Sequence, residues 1–488
     1  ESVAWISQRK NLLAMFFFLA ALLSYVAYRR RDEQGKYTLY ALSLVLFCVA
    51  LLAKSVAVIL PLVLICYDVC CEPRPRRGLV TDKIPFFAVA AVMAVLTIVV
   101  QSPEMGGGRT DYHGGSLLAT CFTMLPVLVR YLGMLVWPAN LSALYLPPIR
   151  TGIDPAVAGA FLVFIALCAA GILLFRRDRQ LFFGYALFFL GLLPVSQVIP
   201  LVTLMNDRYL YFPLIGVGWL AGGIVSRLLA ASSTRKRMLS RAATALVLLV
   251  LTSLSWQRAT VWNNSITLWS DTVKKLPDSR EAFAALAESY VNAGKSQEAL
   301  RAYEEVFAFR SDFIEPIVER KALNNAAALY MDFGRFDEAR PLLLTLVEKF
   351  PDYAPGFINL GYCHFVDRNL PAAEQAYRAA LALEPGNTSV LMGLGNISLE
   401  TRRTDAARKY YDAALANGGN GPDLQYNLAC LEAATSHPAE ALRHLEEALQ
   451  LGYRNRDALL NNPELAPLRA LPAFKRLMTT YFAGTVAP

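Results

Sequence analysis

Residues Asn206 to Pro213 read N-D-R-Y-L-Y-F-P and set an Asp–Arg pair and two tyrosines between apolar runs over 181–201 and 211–231. Charged side chains at the mouth of membrane helices are expensive to place and mark function by default. A guanidinium matches phosphate bidentately, while Tyr209 and Tyr211 can keep their rings in the apolar zone and their hydroxyls in water. A lipid-phosphate headgroup fits such a loop. A second reading stays open on these residues alone: Asp207 and Arg208 neutralise each other, and the tyrosines are ordinary interface anchors.

Membrane helices must hold this loop, and the composition provides them. The 488 residues are 55% hydrophobic with a mean hydropathy of +0.37, too apolar for a single soluble domain. The apolar residues concentrate before residue 258, in runs at about 11–28, 37–53, 55–71, 84–101, 155–175, 181–200, 210–230 and 242–257. Each suits a helix crossing a ~30 Å hydrocarbon core. The expected fold is all-α: a multi-pass domain of about eight transmembrane helices over 1–258, a connector over 259–279, and a soluble helical part beyond it.

The net charge of +8 does not point to nucleic acid, because the basic residues cluster between the apolar runs while the soluble part is balanced to mildly acidic. Four clusters stand out: Arg29-Arg30-Arg31 with Lys36, Arg74-Pro75-Arg76-Arg77 with Lys83, Arg176-Arg177 with Arg179, and Arg227 with Arg235-Lys236-Arg237 and Arg241. Short cytoplasmic loops carry the Lys/Arg excess, which places all four on the cytoplasmic side. Residues 102–154 then form one non-cytoplasmic loop. Its apolar part, 116–137, contains Pro126 and Arg130 and is expected to be re-entrant or interfacial, with a kinked spanning helix as the alternative. In an interfacial segment Arg130 reaches water or an anionic group.

The same orientation puts Glu1 to Lys10, Lys54, the 206–213 loop and everything after Trp256 outside the cytoplasm. A first helix entering from outside, with no signal peptide and no initiating Met, leads us to expect further helices upstream of Glu1.

Eight cysteines lie mostly within apolar runs and suggest no disulfide framework; adjacent Cys70 and Cys71 read as a membrane-edge pair. Four scattered histidines make no zinc constellation, and no spacing indicates a divalent metal or other cofactor. The glycine run Met105 to Arg109 lacks the strand-to-helix context of a phosphate nest and reads as a loop.

Beyond residue 280 a period appears. Ala299, Ala339, Ala373, Ala407 and Ala441 align, the last four at intervals of 34, and the longer first interval reflects extra residues around Ser311 to Glu319. Leu360-Gly361, Tyr377, Ala380 and Pro385 recur in register as Leu394-Gly395, Tyr411 and Ala414, the tetratricopeptide pattern. About five repeats over 280–453 form an α-solenoid with a cap and tail over 454–488. Its concave groove suits an extended polypeptide or a partner helix; self-association or spacing is the alternative.

These residues together resemble a known arrangement. E-S-V-A-W-I-S-Q-R-K-N at 1–11, R-Y-L-G-M-L-V-W-P-A-N-L-S at 130–142, D-R-Y-L-Y-F-P at 207–213 and the C-terminal repeats are similar to the GT-C superfamily. More closely they resemble the transmembrane O-mannosyltransferases with tetratricopeptide repeats and their bacterial relatives. The resemblance implies inverting transfer of a sugar, typically mannose, from a polyprenyl-phosphate donor to a Ser or Thr hydroxyl of a protein outside the cytoplasm. It assigns the donor phosphate contact to Arg208 of the Asp207-Arg208-Tyr209 loop, with Arg130 and Lys10 as further basic candidates. It places the acidic base in an external loop upstream of Glu1, since the sequence holds no matching acidic pair; Asp207, beside Arg208, is expected to be too acidic for that role. The location implied is a bacterial inner membrane with periplasmic repeats, or an endoplasmic reticulum with lumenal ones. The alternative function is a non-enzymatic membrane-anchored scaffold for envelope proteins; a lipid-sugar transporter lacks a charged midplane path.

Overall fold

Within hydrocarbon every backbone N–H and C=O needs a partner in its own segment, so the apolar runs fold as helices. In the computed structural model, described over residues 9–31, 35–72, 79–100, 111–230, 234–308 and 315–482, the regular elements are all helical. Glu1 to Gln8, the Arg74 to Arg77 cluster, the Met105 to Arg109 run and the link residues Ser311 to Ile314 lie outside the described residues. The chain divides into a unit over Glu1–Pro277 and a unit over Asp278–Pro488.

In the first unit, α1 (Arg9–Arg30) packs against α2 (Lys36–Ala53), followed by α3 (Leu60–Cys70) and α4 (Ile84–Val100). After them come α5 (Leu117–Val136), α6 (Pro155–Arg177), α7 (Arg179–Leu192), α8 (Pro213–Leu229), α9 (Thr234–Val261) and α10 (Ser265–Lys275). Among the described residues six helices are long and apolar enough to cross a membrane, and Ser55–Cys70, Arg179–Val195 and Pro213–Leu229 are shorter apolar ones. This is a membrane protein.

Three boundaries differ from the sequence reading. The run expected over 181–200 leaves the α-helix after Leu192, where Pro194 sits in a short 3-10 turn and Gln197 adopts φ +64°. The next helix begins at Pro213 rather than 210, its proline suited to a first turn whose N–H has no partner. The last one starts at Thr234, because the basic stretch before the apolar run contains no breaker, and it reaches Val261 inside the expected connector.

Segment 116–137 holds one continuous helix, α5, over Leu117–Val136, rather than a re-entrant segment. Ser116 caps it by accepting from the Ala119 N–H at 3.1 Å, and Pro126 is absorbed within it. Long and apolar enough to span, it packs against α6 and shares a hydrophobic cluster with Phe188, Phe189, Leu192 and Val217 near the loop between α7 and α8.

That loop is closed by glycine contacts. A Cβ on Gly216 would lie 2.4 Å from the Gly184 carbonyl oxygen, and one on Gly191 would lie 2.8 Å from the Pro213 nitrogen. Small residues here let two backbones touch, as expected where lipid supplies no hydrophobic drive for helix association.

At the opposite end of α1 lies a buried ionic cluster unforeseen in the sequence. Arg29 Nε donates to Asp68 Oδ1 at 2.8 Å, Lys83 pairs with the other Asp68 oxygen, and the Tyr25 hydroxyl donates to Asp68 at 2.8 Å. Asp82 joins through Lys83 at 2.7 Å. The Lys83 and Asp68 side chains are 0% exposed, and these interactions pin α1 to α3 and to the start of α4.

In the second unit, among the described residues, five helix pairs run from Arg280 to Gln450, and short helices follow from Arg456 to Phe482. The register alanines Ala299, Ala339, Ala373, Ala407 and Ala441 are fully buried. Gly395 is required because a Cβ there would meet the Tyr411 ring at 2.2 Å.

Candidate functional site

Asp207 to Leu210 form a short 3-10 turn entered by Asn206 in extended conformation. Asn206 is buried and held by Tyr131 of α5, whose hydroxyl accepts the Asn206 N–H at 3.1 Å and donates to its carbonyl at 3.3 Å. The approach to the turn is equally constrained. Gln197 accepts from the Leu201 N–H and donates to the Thr203 carbonyl, both at 2.9 Å, while His113 meets the Leu201 carbonyl at 2.8 Å. Tyr209 points its hydroxyl back at Thr203, 2.6 Å from its Oγ1.

Tyr145 ties the turn to the loop after α5. Its hydroxyl donates to Asp207 Oδ1 and accepts the Ser142 N–H at 2.8 Å. Burial, then the Asp207 charge, hold the phenol well above its ordinary pKa, so it stays a donor. Arg130, exposed on α5, lays its guanidinium over the Tyr145 ring at 4.9 Å, and Arg208 lies over the Tyr209 ring at 5.7 Å. Cationic planes held on aromatic faces are oriented at little entropic cost.

Of the expected site residues, Asp207, Arg208 and Tyr209 thus share a braced turn, and Arg130 is brought to it through Tyr145. Lys10 is not. It is exposed in the first turn of α1 and has no hydrogen-bond or ion-pair partner among the described residues; the polar contact there belongs to Asn11, which accepts from Lys54. Tyr131 and Tyr145 carry no charge and sit in apolar context, so only their contacts reveal them. Chemically, the turn presents one guanidinium from the loop and a second from α5 around a carboxylate already engaged by a phenol. Such an arrangement can bind a phosphate oxyanion. Among the described residues no group of three or more His, Cys, Asp or Glu is placed to hold a metal ion.

The second unit offers a different site. Asn325, Asn359 and Asn427 occupy the same position of their repeats, separated by multiples of 34, and Gly393 stands where the fourth would be. Asn359 Nδ2 donates to Asn324 Oδ1 at 3.1 Å. At the Gly393 gap a cavity of about 290 Å³ opens between Asn359, Asn396, Asn427, Tyr362 and Asp423.

A tetratricopeptide-repeat family model matches residues 324–388 and 368–422. Protein O-mannosyl-transferase TMTC3 of Homo sapiens is 22% identical over 99% of this chain and 58% of its own length. At this distance the chain is similar to a protein O-mannosyl-transferase along nearly its whole length. The Mus musculus TMTC3 is likewise 22% identical, over 88% of this chain and 51% of its own length, so the chain spans about half the length of these relatives. Intraflagellar transport protein 70A2 of Rattus norvegicus also matches, 25% identical over 41% of this chain and 30% of that protein. Among solved structures, the Pseudomonas aeruginosa pilF protein is 22% identical over 47% of this chain and 96% of its own, with a TM-score of 0.33.

Proposed function

We propose that this chain is the donor-binding and acceptor-presenting part of a membrane glycosyltransferase. It moves a sugar, mannose on the strength of the relatives' names, from a polyprenyl phosphate to Ser or Thr hydroxyls of proteins outside the cytoplasm. The observation that carries the reading is the braced Asp207-Arg208-Tyr209 turn with Arg130 drawn to it over Tyr145.

Transfer with inversion needs stabilisation of the departing lipid phosphate. Arg208 and Arg130 supply it; Asp207 fixes the turn, and Tyr209 and Tyr211 sit at headgroup level. The base that takes the acceptor's proton is not assigned to a residue of this chain. The amide-lined groove supports acceptor binding, because a carboxamide donates and accepts together, as does the main chain of an extended polypeptide. Positive-inside orientation puts the turn and the repeats outside the cytoplasm, in a bacterial periplasm or an endoplasmic-reticulum lumen.

The test is transfer from a polyprenyl-phosphate mannose donor to an acceptor protein by the full-length protein. Arg208→Ala abolishes transfer on this reading, and unchanged transfer removes Arg208 from the site.

A further inference from the structure

The helix after the last long apolar helix is tied to the candidate donor site through a single peptide group. Lys275, at the end of α10, donates from Nζ to the Leu141 carbonyl oxygen at 2.7 Å. The Ser142 N–H, the other end of that peptide unit, donates to the Tyr145 hydroxyl at 2.8 Å, and this hydroxyl donates to Asp207.

The peptide unit is conjugated, so a cation on its oxygen draws density from its nitrogen and strengthens the N–H as a donor. The strengthened N–H polarises the phenol in turn, and the phenol binds the carboxylate more firmly. Four polar groups from three stretches of chain therefore act in series. Lys275 itself is held by Asp271 at 2.7 Å, and Asp271 also accepts from Arg258 Nη1 at 2.6 Å. The Lys275 and Asp271 side chains are 28% and 24% exposed, which shields the pair from much of the solvent screening.

We propose that Lys275 is a positioning residue for the donor site, acting through the Leu141–Ser142 peptide and Tyr145 to fix Asp207 and the adjoining Arg208. The proposal rests on the donor-site reading of that turn. It also gives α10, which directly precedes the repeats in the chain, a path to the reacting end of the membrane unit. A plain anchor for the loop would need only a hydrogen-bond donor at position 275; the relay needs a cation there and a hydroxyl at position 145.

The experiment measures mannose transfer from a polyprenyl-phosphate donor by the full-length protein in detergent, with variants at positions 145, 208 and 275. Lys275→Met lowers kcat about tenfold, a size ordinary for residues sharing one hydrogen-bond network, and leaves the acceptor KM unchanged. Lys275→Arg restores the rate. With Tyr145→Phe already present, Lys275→Met adds no further loss. Additive losses, or a fully active Lys275→Met beside an inactive Arg208→Ala, overturn the relay. An active Arg208→Ala instead overturns the donor-site reading beneath it. Should Lys275→Met fail to fold, Lys275→Gln replaces it: the relay predicts a loss with this neutral donor, and retained activity contradicts it.

Discussion

The Tyr145 hydroxyl donates to the Asp207 carboxylate across 62 residues of chain, and the same ring carries the Arg130 guanidinium on its face. One tyrosine thereby draws a cation from α5 to a turn between α7 and α8. Tyr145→Phe keeps the ring and removes both hydrogen bonds, leaving the Ser142 N–H without its acceptor. We expect about tenfold weaker binding of a polyprenyl phosphate and a stability loss of about 1–2 kcal/mol. Isothermal titration in detergent reads the first; unchanged affinity would show that Asp207 needs no brace.

The Arg29–Asp68–Lys83 cluster makes a prediction about stability. Lys83 and Asp68 are both fully buried, so Lys83→Met leaves a carboxylate with one cation fewer in a region without water. Removing one partner of a buried pair costs about 3–5 kcal/mol. Thermal unfolding in detergent should show a large drop for Lys83→Met. A melting temperature within error of the parent would mean that the cluster is not closed to solvent.

In the repeat unit, burial and then the neighbouring Glu315 carboxylate raise the pKa of Glu281 above that of an ordinary glutamate. The folded state holds this proton more tightly than the unfolded chain, where glutamate titrates near about 4.3. Stability from this group is therefore complete below that value and is lost as pH rises through the folded pKa. Glu281→Gln removes the penalty present at neutral pH. The melting temperature of the repeat transition should rise at pH 7 and stay unchanged well below pH 4 (roughly the unfolded value); an equal gain at both would assign the effect to packing.

Asn359 and Asn427 flank the Gly393 gap in the groove and are half-buried. Replacing both by Ala should weaken binding of an unstructured Ser/Thr-rich acceptor peptide about thirtyfold, at roughly 1 kcal/mol for one hydrogen bond lost at each position, with little change in melting temperature. Equal binding by the double variant would move acceptor recognition elsewhere.

Much of this architecture is legible in the sequence, because membrane helices and 34-residue repeats both follow from periodic constraints on apolar residues. The Asp207-Arg208-Tyr209 turn is legible for a related reason: charge beside long apolar runs is costly enough to stand out. Tyr145, Lys275 and the Asp68–Lys83 pair are not, since each acquires its meaning from a partner 15 to 134 residues away. The continuous α5 escaped a reading that set residues 102–154 as one external loop to keep the Arg176 cluster cytoplasmic; charge placement in loops fixes orientation, not whether an intervening apolar segment is helical.

On the proposed function, Arg208 grips the phosphate of a lipid-linked sugar. The most direct measurement is the dissociation constant of a polyprenyl phosphate for the full-length protein and its Arg208→Ala and Arg208→Lys variants. At least about a tenfold loss is expected with Ala and only partial recovery with Lys, whose point charge cannot reproduce the bidentate fork. Equal affinity in all three proteins would contradict it.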